Sequence, residues 1–257
     1  MGAIGHLGVA ACYNSIYNPG LLRVVERVSS DLLFGVDVWN LYELYWLDIS
    51  GKPCVHVGRL SYDSRSKYIL ESKSVKLYLM SLNEHKFSST QEAKETIVRD
   101  IEGLLNTQIE VEISELVNIE RGLAIDGVCI DGVSISDVYG DGIKCFPDVY
   151  IKESLYSDVL KSNCPVTMQP DYGSLLIEYH GQKIDRSSLL FYITSLRNKN
   201  KFHEDCIQEI CERILVDCKP EYLAVLGMYN RRGGIDINPI RSNVAGVFPS
   251  LYRSLRQ

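Results

Sequence analysis

The chain has 257 residues, of which 46% are hydrophobic, and a formal net charge of −6 at pH 7. That is enough apolar content for one large domain or two ordinary ones, and the acidic balance argues against broad electrostatic binding of nucleic acid, leaving room only for a local basic patch. No apolar run reaches membrane-spanning length, and Met1 to Ala11 has neither the basic start nor the long apolar stretch of a signal peptide, so a soluble cytoplasmic protein is expected. The eight cysteines, at positions 12, 54, 129, 145, 164, 206, 211 and 218, include no Cys-x-x-Cys pair. They are expected as reduced thiols, with no disulfide framework and no metal site.

In chain order, residues 1–35 give weak signals. Gly2-Ala3-Ile4-Gly5-His6-Leu7-Gly8 does not match the Gly-x-Gly-x-x-Gly pattern and follows no strand, so the segment reads as an extension with a flexible start. Strands are predicted over Val38–Asp48 and Pro53–Tyr62, around a Ser50-Gly51-Lys52 turn. A helix follows with Val75, Tyr78, Leu79 and Leu82 on one face, then a second with Ala93, Ile97, Ile101, Leu104 and Leu105. Two more strands are predicted over Gln108–Val117 and Val128–Tyr139.

The same order then repeats. Strands over Val149–Leu160 and Ser174–His180 precede a helix marked by Leu189, Tyr192, Ile193 and Leu196 and another marked by Ile207, Ile210, Cys211, Ile214 and Leu215. Strands over Tyr222–Tyr229 and Ile235–Ile240 close the copy. Placing Glu71 over Asp185 brings Ser74, Tyr78, Ser81 and Leu82 onto Ser188, Tyr192, Ser195 and Leu196, and with one extra residue Phe87 falls on Phe202. Strands flanking paired helices, twice over, predict an α+β fold of antiparallel sheets with the helix pairs on one face, divided into units 36–140 and 141–257.

The copies differ where chemistry is concentrated. Only the second carries Ser162-Asn163-Cys164-Pro165-Val166-Thr167-Met168-Gln169-Pro170-Asp171-Tyr172-Gly173, in which two prolines exclude a helix or a central strand and fix a thiol and a carboxylate on one rigid loop. A nucleophilic thiol with a proton donor beside it suggests covalent catalysis; a small buried Cys with a turn-capping Asp is the plain alternative. Only the first copy carries Glu71-Ser72-Lys73-Ser74, so a site built from both halves is expected. His203 and Glu204 could simply open a helix. Lys73 and Lys76 could be a solvated helix face, and Arg231-Arg232-Gly233-Gly234 only a hairpin turn.

Glu71-Ser72-Lys73-Ser74-Val75-Lys76-Leu77-Tyr78 resembles the signature of the NADPH-dependent 7-cyano-7-deazaguanine reductases, the nitrile reductases of queuosine biosynthesis, a tRNA modification pathway. Ser162 to Gly173 resembles that family's catalytic loop, Phe202-His203-Glu204 its substrate segment and Arg231 to Pro239 its cofactor segment. The resemblance runs from about Val36 to the C-terminus, in the long form of the family with tandem tunnelling-fold (T-fold) units and a homodimeric assembly. It implies Cys164 as nucleophile forming a thioimide and Asp171 as proton donor. It also implies Leu70, Glu71, Ser72, His203 and Glu204 around the substrate, and Ser72, Lys73, Arg232 and Gly233 at the NADPH, two of which are consumed per turnover. The partner is then a small deazaguanine nitrile, with no nucleic acid or membrane. Two other classes stay open on the residues alone: a thiol hydrolase using Cys164 and His203, and a non-catalytic T-fold module binding a purine or pterin.

Overall fold

The computed structural model describes residues 16–115, 125–135, 140, 142–251, 253–254 and 257. Its first half comprises β1 (Val24–Glu26), β2 (Phe34–Leu47), β3 (Pro53–Asp63), β4 (Tyr68–Leu70), α1 (Ser72–Ser81), α2 (Thr90–Leu105) and β5 (Ile109–Glu115). β6 (Val128–Cys129) follows, and the second half comprises β7 (Cys145–Asn163), β8 (Pro170–Ile184), α3 (Arg186–Ser195), α4 (His203–Cys218), β9 (Tyr222–Tyr229) and β10 (Ile235–Ser242). Strands β5-β3-β2-β10-β9-β8-β7-β6 form one sheet in that order. Every pairing in it is antiparallel except the short parallel contact of β6 with β7.

The helices pack on one face. On β8 and β9, Leu175, Ile177, Tyr179, Leu223 and Val225 join α3 and α4 in one core, while Trp39, Leu41, Leu60, Ile235 and Ile237 join α1 and α2 in a second. The alternate positions Val38, Leu176, Leu226, Met228 and Ile240 form a small cluster on the opposite face, as a period of two requires. Along β2 the buried positions run 39, 41, 44, 46, and the change of parity is absorbed by a register shift between Leu41 and Leu44. Along β7, which also shifts register between Phe146 and Tyr150, the corresponding shift lies between Ser157 and Leu160, again three residues before the strand ends. Without these bulges the last turn of each hairpin would present its apolar side chains to the wrong face.

The repeat extends to individual hydrogen bonds. Glu71 caps α1 by accepting from the Lys73 and Ser74 amides, and Asp185 caps α3 by accepting from those of Ser187 and Ser188. Ser74 and Ser188 each donate back to the carbonyl of their cap residue. Helices α2 and α4 are each 16 residues long and end on a left-handed residue, Asn106 and Lys219. This corrects the predicted pairing of Phe87 with Phe202. Ser89 and Phe202 are the equivalent N-caps, and the residues bridged to the two hairpin ends are Lys86 and Asn200.

Three other expectations change. The flexible start cannot extend to residue 35, because β1 pairs with β4 and Tyr17 donates to Asp100 at 2.6 Å; the residues before Ile16 lie outside the described part. Of the strand predicted over Val128–Tyr139 only Val128 and Cys129 are extended, drawn to β7 of the other half, and residues 136–139 lie outside the described part. Asp171 is not on a loop: β8 begins at Pro170, whose missing N–H is tolerated at the first position of a strand.

The halves meet along β2 and β10, which pair over eight residues from Phe34↔Ser242 to Leu41↔Ile235. Beneath the helices at this seam, Asp37 Oδ2 accepts from Arg27 Nη2 at 2.6 Å and Oδ1 from Arg241 Nη1 at 2.7 Å, with all three side chains out of solvent. Two buried guanidiniums thus share one carboxylate across the seam. Removing that carboxylate strands both charges, a loss that typically costs ~3–5 kcal/mol. Asp37→Ala should lower stability by about that amount, read as a reduced urea midpoint with an unchanged slope; a loss below ~1 kcal/mol would show that the cluster does not hold the seam.

Candidate active site

Strands β9 and β10 share only three residue pairs, Ile240↔Leu226, Arg241↔Val225 and Ser242↔Ala224, and then diverge. Into the mouth of this opening project the start of α1, the β7–β8 loop, the start of α4 and the β9–β10 turn. Together they enclose a cavity of about 460 Å³. Its walls include Leu70, Glu71, Ser72 and Lys73 from the first half and Cys164, Asp171, His203, Glu204 and Arg232 from the second. All the residues singled out in the sequence therefore meet at one place except Gly233.

Cys164 is the first residue of the loop and is half-buried. Its amide donates to the Gln169 carbonyl and its carbonyl accepts from the Met168 amide, both at 2.9 Å, and Met168 takes a left-handed conformation to close the turn. Asn163, just before it, exchanges backbone hydrogen bonds with Lys199 and Lys201, which fixes the loop against the approach to α4. His203 and Glu204 are the first two residues of α4, whose N-cap Phe202 provides no side-chain acceptor. Opening a helix and facing the cavity are thus compatible for this pair.

Asp171 is engaged by two cationic or ring-nitrogen partners. Its Oδ1 accepts from Arg232 Nη1 at 2.6 Å, and His203 Nε2 lies 3.3 Å from Oδ2, with the His203 ring stacked on Tyr229 at 3.8 Å between centroids. Burial pushes the Asp171 carboxyl up, but His203, Arg232 and Lys76 together outweigh it and hold the group below its ordinary range. Lys76 is lowered, first by burial and then by Arg232. It lies three residues beyond Lys73 on the same helical face, so the periodicity of α1 carried the signal for it. Tyr229, Gln169 and Asp236 also line the cavity; Gln169 and Asp236 fall inside the two segments singled out in the sequence, whereas nothing in the setting of Tyr229 marked it.

The Arg231–Gly234 segment is a tight hairpin turn, with Gly233 and Gly234 both at positive φ and the Arg232 amide bonded to the Ile235 carbonyl. Gly233 is absent from the cavity wall, and a side chain there would meet Lys76 Cδ at 3.0 Å. Its close approach is to Lys76. Glu71 is also more than a free acceptor, since both its oxygens cap α1. The cations Lys73, Lys76, Arg231 and Arg232 among the lining residues suit an anionic ligand, and Lys76, lowered by burial and by Arg232, would gain from one. Among the described residues no group of side chains has the arrangement of a metal site, and no helix is long and apolar enough to cross a membrane.

Glu204 is 2% exposed, and its Oε1 has no hydrogen-bond partner among the described residues. Burial, reinforced by the Asp37 carboxylate, pushes it up to about 7 from an ordinary 4.5. A raised carboxyl contributes stability in its protonated form, fully present below 4.5 and lost as pH rises through about 7. Glu204→Gln should therefore gain stability relative to the parent between those pH values, by on the order of 3 kcal/mol at the upper end. A difference in unfolding free energy that does not vary with pH would show Glu204 to be ionised throughout.

Residues 13–113 match the family profile described as "Nitrile reductase, 7-cyano-7-deazaguanine-reductase N-term", and residues 170–246 match "QueF-like protein". The NADPH-dependent 7-cyano-7-deazaguanine reductase of Legionella pneumophila (strain Paris) is 43% identical over 262 residues, covering 94% of this chain and 90% of that one. The enzyme of the same name from Bordetella pertussis (strain Tohama I) is 41% identical over 266 residues, covering 98% and 97%. An apo archaeosine synthase QueF-Like crystal structure aligns with 38% of the chain at a TM-score of 0.32 and 19% identity, too weak a match to define the fold. With a thiol, an ion-paired carboxylate and a buried glutamate on one cavity, and with identity above 40% across nearly the whole length, this chain belongs to the family of NADPH-dependent 7-cyano-7-deazaguanine reductases.

Proposed function

We infer that the chain reduces the nitrile of 7-cyano-7-deazaguanine to the aminomethyl group, consuming two NADPH and two protons, in the queuosine pathway. The observation that carries this reading is the convergence of Cys164, Asp171 and Glu204 on a single cavity that Lys73, Lys76 and Arg232 also line. Glu204, buried and lacking a partner at Oε1, is an acceptor waiting for paired N–H donors of the kind a guanine-like edge presents. Glu71 offers the remaining lone pairs of its capping oxygens, and Leu70, Ser72 and His203 complete the substrate wall.

Asp171 is a carboxylate in the free chain, which defines its part in the first step. It accepts the Cys164 thiol proton as the sulfur forms a bond to the nitrile carbon, then passes that proton to the nitrogen, giving a neutral thioimide with no net change in protons. NADPH supplies a hydride at each of the two reductions. Between them the C–S bond breaks and the thiol is restored with a proton, leaving an imine held in the cavity. Ser72, Lys73 and Arg232 are assigned to the nucleotide, with Gly233 acting indirectly by letting Lys76 pass close to the turn.

Tandem T-fold units over 36–140 and 141–257 are supported by the repeated caps, bulges and left-handed helix ends, with residues 1–35 as an extension whose described part folds against the first unit. A cytoplasmic homodimer is the assembly that the family resemblance suggests.

Incubation with 7-cyano-7-deazaguanine without NADPH should add one substrate mass at Cys164, and Cys164→Ala should abolish it. With NADPH, two nucleotides should be oxidised per amine formed. A carboxylic acid or amide product with NADPH untouched would instead identify a thiol hydrolase. Asp171→Asn should keep its fold and lose ~10²–10⁴-fold in turnover, the usual worth of a positioned acid–base group.

A further inference from the structure

Arg232 has two claims on it. In the free chain its guanidinium is already committed: Nη1 donates to Asp171 Oδ1 and Nη2 to Gln169 Oε1, both at 2.6 Å. Yet it sits on the turn at the cavity mouth with 47% of its side chain exposed, while Asp171 is only 12% exposed. A planar fork whose donors face Asp171 and Gln169 cannot also meet a phosphate in the same geometry.

We propose that Arg232 is a positioning residue shared between Asp171 and the nucleotide, holding the carboxylate in the free chain and releasing it when a nucleotide phosphate takes its place. This rests on the assignment of Arg232 to NADPH made above. The groups facing Asp171 are Cys164 on its own hairpin, Lys76 on α1, His203 on α4, Tyr229 on β9 and Arg232 on the turn. Of the cations, Arg232 is bonded to the carboxylate and exposed enough to swing away, whereas His203 is stacked on Tyr229. Losing Arg232 leaves Asp171 with burial less fully opposed, so the carboxylate becomes the stronger proton acceptor when the nucleotide is in place. Binding of the reductant would thereby prepare the proton-transfer group.

The test uses NADP⁺, which binds without transferring a hydride, with affinity measured by calorimetry. If Asp171 competes for Arg232, Asp171→Asn should bind NADP⁺ about three- to fivefold more tightly than the parent, the scale of one partly exposed ion pair. The same substitution made on Arg232→Gln should give no gain, which separates competition for the guanidinium from simple relief of repulsion between carboxylate and phosphate. Nucleotide binding to the parent should also take up protons as pH falls through the Asp171 titration, and binding to Asp171→Asn should not. Equal affinity of parent and Asp171→Asn, or an undiminished gain in the Arg232→Gln background, overturns the sharing of Arg232 while leaving the reductase reading intact. Failure of the parent to bind NADP⁺ at all overturns both.

Discussion

The brevity of the contact between β9 and β10 is the constraint on which the rest of the molecule turns. Each strand is fully committed on its other side, β10 to β2 and β9 to β8 over eight residues apiece. They have only three pairs to give each other, so the sheet is open toward Tyr229 and Ile235. Backbone polar groups in such a gap need partners. Gln257 supplies one, its amide donating to the Tyr229 carbonyl at 3.2 Å and to Asn238 Oδ1 at 2.6 Å, which ties the separated strands together beside the cavity. Every wall of the site is then something that arrives at this opening: two helix starts, a hairpin loop and a hairpin turn.

Charge follows the same geometry. Asp37, Arg27 and Arg241 lie buried at the seam, and Arg27 and Asp37 both influence Glu204. Arg27 Nη1 and two nitrogens of Arg241 have no hydrogen-bond partner among the described residues, as does Glu204 Oε1. A core designed for stability alone would not leave such atoms, because apolar replacement of buried ionic groups is often neutral or favourable. Of these residues Glu204 lines the cavity, whose assigned ligand has a polar, hydrogen-bonding edge, and its free oxygen is a source of discrimination: a ligand lacking the matching donors leaves the glutamate unpaired.

Much of this was legible in the sequence. The apolar spacings located all four helices, because α1 to α4 each bury a continuous stripe, and the β2–β3 hairpin was visible from two strand-like runs around a short turn, whereas the ends of β7 and β8 were read as loop. The thiol, the carboxylate and the arginine turn were visible because Pro, Gly and paired charges are uncommon in combination. What could not be read was set by distant contacts. The placement of Asp171 on β8 depends on its pairing with Ser162 across the hairpin, and Val128 and Cys129 were drawn to the opposite half. Arg27 gave no local sign because its partners are Asp37 and Ser66. Identity pairs Phe87 with Phe202, but the helix caps, Ser89 and Phe202, define the equivalence of the second helix pair.

The seam also says something about the order in which the molecule comes together. Hairpins such as β2–β3 close between residues close in the chain, while Asp37 and Arg241 are separated by 204 positions. Loop-closure entropy must be met before such a contact returns any energy, which places the β2–β10 pairing late. Most of each core is drawn from one half, but Ile235 and Ile237 of β10 belong to the core of the first half, so that core is completed only when the seam closes. The opening beside Tyr229 is then created by the last long-range step, so a chain that has not finished folding has no preformed pocket in which a reactive thiol and a nucleotide could meet.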